Sequence, residues 1–215
     1  MEQILSLYNL PYDPAYPVVC FDERPCFLIG DKVEPLPIQT GKPSKEHYAY
    51  EKFGSAALLA AIEPLTGHRI AQLYQRRTKK EYALFCLAIA EAFPNARKIR
   101  LIQDNLNTHS KSAFYQYLPA DQAFTLAQKF EFYFTPKSAS WLNMIELEFS
   151  ALARLCLNRR IPSFDLLEKE VLAFIKDRHL KQITLNWQFS IPAARDKFQA
   201  HYHKVNPLNP VPKEL

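Results

Sequence analysis

Two short apolar, β-prone runs that each end in an acid constrain this chain more than any other feature. VVCF at 18–21 leads into Asp22-Glu23, and KIRLIQ at 98–103 leads into Asp104. Continuously apolar runs of this length read as strands buried on both faces. Adjacent parallel strands bring their C-terminal ends to one edge of a sheet, where open α/β sheets bind their ligands. The chain is therefore expected to bury a sheet between helical layers and to carry two carboxylates to one edge.

The segments around these runs fill in the layers. CFLIG at 26–30 reads as a short separate strand. Residues 31–52 are a long excursion whose KPSKEHYAYEK portion at 42–52 mixes basic and aromatic residues, as a contact with DNA, a second subunit or a loop would. SAALLAAI at 55–62 and HRIAQLYQ at 68–75, joined by EPLTG, predict an antiparallel meander. Thr78 caps a helix from Lys79 to about Phe93, with Glu81 at the capping-box position and Pro94 ending it. After Asp104 the pattern predicts helix from Ser110 to Lys129 broken at Pro119, a strand EFYFT at 131–135, a helix capped by Ser140 through Leu157, and another capped by Ser163 through Arg178. Strand, meander, helix, strand is the order of an α/β domain with a mixed sheet.

A length of 215 residues suits one domain, and 48% apolar with 23% charged residues is a globular balance. The domain is expected over 18–200, between a leftover connector at 1–17, made of the end of a short helix in 1–10 and the proline-rich 11–17, and a flexible tail at 201–215. Lys and Arg outnumber Asp and Glu 27 to 22, which favours approach to a phosphate backbone. The four cysteines, at 20, 26, 86 and 156, form no CxxC pair and read as buried thiols of a reducing compartment rather than zinc ligands. No secretory signal opens the chain, and its longest apolar stretch, 83–90, is too short for a bilayer, so a cytoplasmic, DNA-associated location is expected. With four glycines and no GxGxxG, P-loop or GxSxG, a nucleotide-cradling or serine-hydrolase site has little support.

Glu146 is the third acid. Leu142, Ile145, Phe149, Leu152 and Cys156 recur at spacings of three and four, so Glu146 is expected on or beside the buried stripe and Glu148 about 200° round the helix from it. Three acids converging on one edge would repel one another, and a pair of divalent cations would reverse that penalty. The matching chemistry is phosphoryl transfer with two Mg²⁺ or Mn²⁺ ions. On spacing alone another reading stands beside this one: strand-end acids are common, and Glu146 could be a helix residue with a local partner.

The motifs themselves go further. CFDE at 20–23, LIQDNLNTH at 101–109 and FTPKSASWLNMIE at 134–146 resemble the three acidic motifs of the IS630 transposases, within the Tc1/mariner superfamily, and the likeness extends to EPLTGH, RRT and NRRIP. The resemblance implies a ribonuclease H-like fold, a mixed five-stranded sheet flanked by helices. It also implies metal-dependent cleavage of transposon-end DNA and transfer of 3′-hydroxyl ends to target DNA, with Asp22, Asp104 and Glu146 as catalytic metal ligands. The 41 residues between Asp104 and Glu146 are more than is usual in that family. Its members begin with a helix-turn-helix region for which no room precedes Asp22. The chain is therefore expected to be the catalytic half of a transposase whose DNA-recognition half is separately encoded, a non-catalytic remnant that binds DNA or protein, or a nuclease without strand transfer. Double-stranded DNA is the expected partner, with a homodimer forming on it.

Around the three acids, Asn105, His109 and Asn143 are candidates to orient ligands or phosphate. Arg76, Arg77, Lys79, Lys137, Arg159 and Arg160 are candidate phosphate contacts, and Trp141 could anchor its helix or stack on DNA. Ordinary solvated faces remain the alternative for each basic cluster.

Overall fold

The computed structural model describes residues 1–34, 36, 40–41 and 47–210. Of the 31–52 excursion, residues 35, 37–39 and 42–46, which include its KPSKE stretch, lie outside the described residues, as does the end of the tail at 211–215.

Five strands, β1 (Val18–Asp31), β2 (Tyr50–Glu63), β3 (His68–Tyr74), β4 (Ile99–Gln103) and β5 (Phe130–Phe134), form one sheet in the order β3-β2-β1-β4-β5. β1, β2 and β3 are antiparallel neighbours, whereas β4 and β5 run parallel to β1. The helices are α1 (Glu2–Tyr8), α2 (Lys79–Ala92), α3 (Ser112–Tyr117), α4 (Ala120–Lys129), α5 (Ile145–Leu155), α6 (Phe164–Leu180), α7 (Ile191–Lys197) and α8 (Gln199–Val205).

Alternation along the strands divides the core in two. Val19, Phe21, Ala57, Leu59 and Ala61 face α2, α3 and α4, meeting Tyr82, Phe85, Ile89, Phe114 and Leu126. Cys20, Cys26, Leu28, Leu58, Ala60 and Ile62 face the other way, onto Ile4 and Leu7 of α1, Phe149 and Leu152 of α5, and Leu167 and Val171 of α6. The capping box on α2 forms as expected, with the Glu81 carboxylate accepting from the Thr78 amide at 2.8 Å.

Four expectations need correction. β1 is continuous, without the break expected between Asp22 and Cys26. β4 pairs with it only at Val18–Cys20, so beyond that point one edge of β1 needs no donors and Pro25 is tolerated. Residues 1–17 are no leftover connector, because α1 buries Ile4, Leu5 and Leu7 and anchors Glu2 to Arg195 and Tyr202. The tail expected from 201 is helical through Val205, as part of α8. Finally, Ser140 opens a 3-10 turn at Ser140–Leu142, and α5 begins only at Ile145.

The β2–β3 turn is pinned from both sides. Glu63, 1% exposed, accepts hydrogen bonds from Leu65 and Thr66, and Gly67 sits at φ +73° against the carbonyl of Ile183. A Cβ on Gly67 would lie 2.6 Å from that oxygen. Gly67→Ala is therefore expected to cost about 2–3 kcal/mol in urea unfolding, from a strained left-handed residue and a backbone clash. An unchanged midpoint would show that the 183 segment is free to move away.

Candidate active site

The register between β1 and β4 sets the site. Val18, Val19 and Cys20 pair with Arg100, Leu101 and Ile102, so two residues further on Asp22 comes beside Asp104 at the open end of the parallel pair. Asp22 shares the parity of Cys20 and belongs to the sheet face covered by α5, whose second residue is Glu146.

The electrostatics follow from this placement. The Asp22 carboxyl is pushed up to about 6, first by burial and then by repulsion from Asp104 and Glu146; its bond from the Glu23 amide and the nearby His109 pull the other way. The structure thus brings Asp22, Asp104 and Glu146 into one field.

Two long-range hydrogen bonds fix the start of α5. The Asn143 side-chain amide donates to the Phe21 carbonyl at 2.8 Å, tying the residue before Asp22 to the turn before Glu146. The Tyr8 hydroxyl donates to the Leu142 carbonyl at 2.6 Å, so α1 supports the site as well. Asn143 Oδ1 is buried with no hydrogen-bond partner.

On the opposite face, Glu23 points toward α2 and meets His109. The His109 ring, 2% exposed, is clamped between Asp104 Oδ1 at 2.5 Å from Nδ1 and Glu23 Oε1 at 3.1 Å from Nε2, and it stacks on Tyr82 at 4.8 Å. With an acceptor on each side, the ring satisfies both as the imidazolium. Burial alone would lower its pKa, but the bonds to Asp104 and Glu23 outweigh it and raise the group to about 9. In return, the His109 bond is the main cause holding Asp104 below the usual carboxylate range.

A pKa raised on folding contributes stability that is full below the unfolded value, about 6.5, and is lost as pH rises through the folded value near 9. The melting-temperature gap between wild type and His109→Gln is therefore expected to narrow steadily from pH 6 to pH 10. A gap independent of pH would mean that the ring is held neutral.

The two glutamates of α5 exchange the burial expected of them. Glu148, 3% exposed, lies between β3 and α6, where Arg69 and Arg178 each bind it with Nε and Nη2 at 2.8–3.0 Å. Glu146 is only partly buried. Because α5 starts at Ile145, Leu142 drops out of its stripe; the remaining stripe of Ile145, Phe149 and Leu152 includes Glu148 and leaves Glu146 on the flank nearer Asp22.

The remaining candidates separate by what they touch. Arg76 and Lys137 are exposed, Lys79 is partly so, and Arg77, also exposed, comes within 3.7 Å of Glu23. Asn105 is exposed beside Asp104. Trp141 packs among Trp187, Phe189 and Phe198, which ties the turn before Glu146 to the C-terminal segment. Arg159 pairs with Glu170, and Arg160 holds Asp31 and the His47 and Ala49 carbonyls, so both guanidinium groups are engaged within the fold.

Sequence reasoning missed Glu23, Arg69, Glu148 and Arg178. Arg69 left a signal, since an arginine inside the apolar-rich strand HRIAQLY, paired opposite Ile62, requires a buried acid.

The family model of the DDE superfamily endonucleases matches residues 17–168, a span that includes all three acids and all five strands of the sheet. This chain belongs to that family. No match was found among curated proteins. Among solved structures, the domain resembles the Mos1 mariner paired end complex with Mn (TM-score 0.55, 16% identity, 85% of this chain and 55% of that one). It is similarly like the Mos1 strand transfer complex (0.54, 16%, 85% and 54%) and the Mos1 transposase paired-end complex with left transposon end (0.54, 17%, 85% and 55%). The sheet and its flanking helices are thus the ribonuclease H-like fold of the Mos1 transposase. The DDE domain spans just over half the length of those Mos1 chains. Among its described residues no helix is long and apolar enough to cross a membrane.

The donors suit a hard divalent cation: carboxylate oxygens, one of them raised by burial and then by its like-charged neighbours, with the buried, unpartnered amide oxygen of Asn143 on the turn before Glu146. Among the described residues no three His, Cys, Asp or Glu side chains already close on a common point as ligands. The donor chemistry fits a metal, and the side chains stand apart around an open edge.

Proposed function

We propose that this DDE endonuclease domain is the catalytic part of an IS630-type transposase of the Tc1/mariner superfamily, cutting transposon-end DNA and transferring its 3′-hydroxyl ends to target DNA. The observation that carries the reading is the convergence of Asp22 and Asp104 from adjacent parallel strand ends with Glu146 from the first turn of α5. The likeness to Mos1 complexes with transposon ends, some of them holding Mn or Mg, supports it.

In this reading Asp22, Asp104 and Glu146 would hold two Mg²⁺ or Mn²⁺ ions. Bound there, such ions supply activation of the attacking water or 3′-hydroxyl and stabilisation of the leaving oxygen. The rest is the work of the chain. Asn143 sets the height of Glu146 over β1 by its bond to Phe21. His109 orients Asp104 and keeps it ionised, with Glu23 behind it. Asn105, at the exposed mouth, meets a phosphate. Arg76, Arg77, Lys79 and Lys137, exposed or partly so, position the DNA backbone in this reading, while Trp141 supports the α5 turn from within its aromatic cluster. A dimer on DNA completes the proposal.

A product assay tests the reaction class. Incubated with Mn²⁺, a pre-cut 3′-hydroxyl end and a plasmid target, the domain should yield joined products that Asp22→Ala does not form. Nicked target without joining would make the protein a nuclease, and equal products from Asp22→Ala would remove the site.

A further inference from the structure

Among the described residues, Arg24 is a cation with no side-chain hydrogen bond or ion pair to any acid, the carboxylate site included. It lies on β1 between Cys20 and Cys26, all of even parity, and so on the sheet face that carries Asp22 and is covered by α5. Alternate residues on one strand face are about 7 Å apart, which puts Arg24 one step beyond Asp22. β4 has left β1 by this point, so the edge beside Arg24 is open.

Its side chain is partly buried, and Nε is shut off from solvent with no hydrogen-bond acceptor. No ion pair joins it to Asp22, Glu23 or any other acid of the described residues, and its cross-strand partner is Leu58, which offers no acceptor. The other shielded arginines are all spent: Arg69 and Arg178 on Glu148, Arg160 on Asp31. A shielded Nε–H without an acceptor is unfavourable for folding alone. A planar fork of donors beside an open edge matches the paired oxygens of a phosphodiester.

We propose that Arg24 binds a backbone phosphate of the DNA strand lying next to the carboxylate site. The cation offsets the repulsion that the three acids would exert on that strand, and it gives the strand a fixed point along β1. This inference rests on the DNA reading above and adds a contact to it.

The test is fluorescence anisotropy with a labelled random-sequence duplex over a chloride series, without divalent metal, for wild type, Arg24→Gln, Arg24→Met and Arg24→Lys, with a thermal melt of each free protein. Arg24→Gln and Arg24→Met should weaken binding by about tenfold, the effect of one charge-assisted bond. They should also lower the slope of log affinity against log salt by about 0.9, and Arg24→Lys should keep the slope. The melts should be unchanged or higher, since an unsatisfied cation has been removed. Wild-type binding with the same affinity and slope in Arg24→Gln would overturn this inference and leave the DNA reading intact, as would a lowered melt in Arg24→Met with binding unaffected. A folded wild type that binds no duplex would overturn the DNA reading itself.

Discussion

Glu148→Ala is expected to destabilise the domain by about 3–5 kcal/mol, enough to leave much of it unfolded at growth temperature. The carboxylate accepts four side-chain hydrogen bonds, two from Arg69 and two from Arg178, and removing it leaves two shielded guanidinium groups facing each other. Arg69 also donates to the Gly67 and Ile183 carbonyls, so the loss spreads from α5 to the β2–β3 turn and the chain after α6. Burial raises the Glu148 pKa, yet the two arginines outweigh it and the group ends below the usual carboxylate range. A depressed carboxylate contributes stability present above its unfolded pKa and lost as pH falls through the folded one. The difference between wild type and Glu148→Ala in urea unfolding should therefore shrink only in strong acid. A loss under about 1 kcal/mol at pH 7 would show that the cluster is not a structural brace.

Glu146→Gln, two residues away, is expected to do the opposite. It should lower Mn²⁺-dependent cleavage of a duplex by at least about 10³-fold, about 4 kcal/mol of barrier, because one carboxylate of the proposed metal site would be lost. Stability should hardly change, since Glu146 is only partly buried and removing its charge relieves the repulsion it exerts on Asp22. Single-turnover cleavage on protein with a wild-type melting curve separates this from misfolding. Cleavage within tenfold of wild type would mean that Glu146 is not the third ligand.

The contrast between these glutamates shows what the sequence could and could not carry. VVCF and IRLIQ were legible as two buried strands because they are short and β-prone, and the capping box of α2 and the β2–β3 meander were legible from local chemistry. The residues that support the acids were mostly hidden, because their partners are distant in sequence. Glu148 meets arginines 79 and 30 residues away, and Asn143 reaches a carbonyl 122 residues away. The start of α5 was misread because Leu142 is buried in a 3-10 turn and imitates helical periodicity. Arg159 and Arg160 looked like a DNA-facing pair, and only the fold reveals that Glu170 and Asp31 already occupy them.

The most direct measurement of the central claim is a calorimetric titration of Mn²⁺ into the folded domain with a transposon-like duplex present, beside the same titration of Asp104→Ala. Uptake near two ions per chain by the wild type, lost in the variant, is the predicted result. A folded wild type that takes up no Mn²⁺ with DNA bound, or an Asp104→Ala variant that binds it equally well, would contradict a metal site built from Asp22, Asp104 and Glu146.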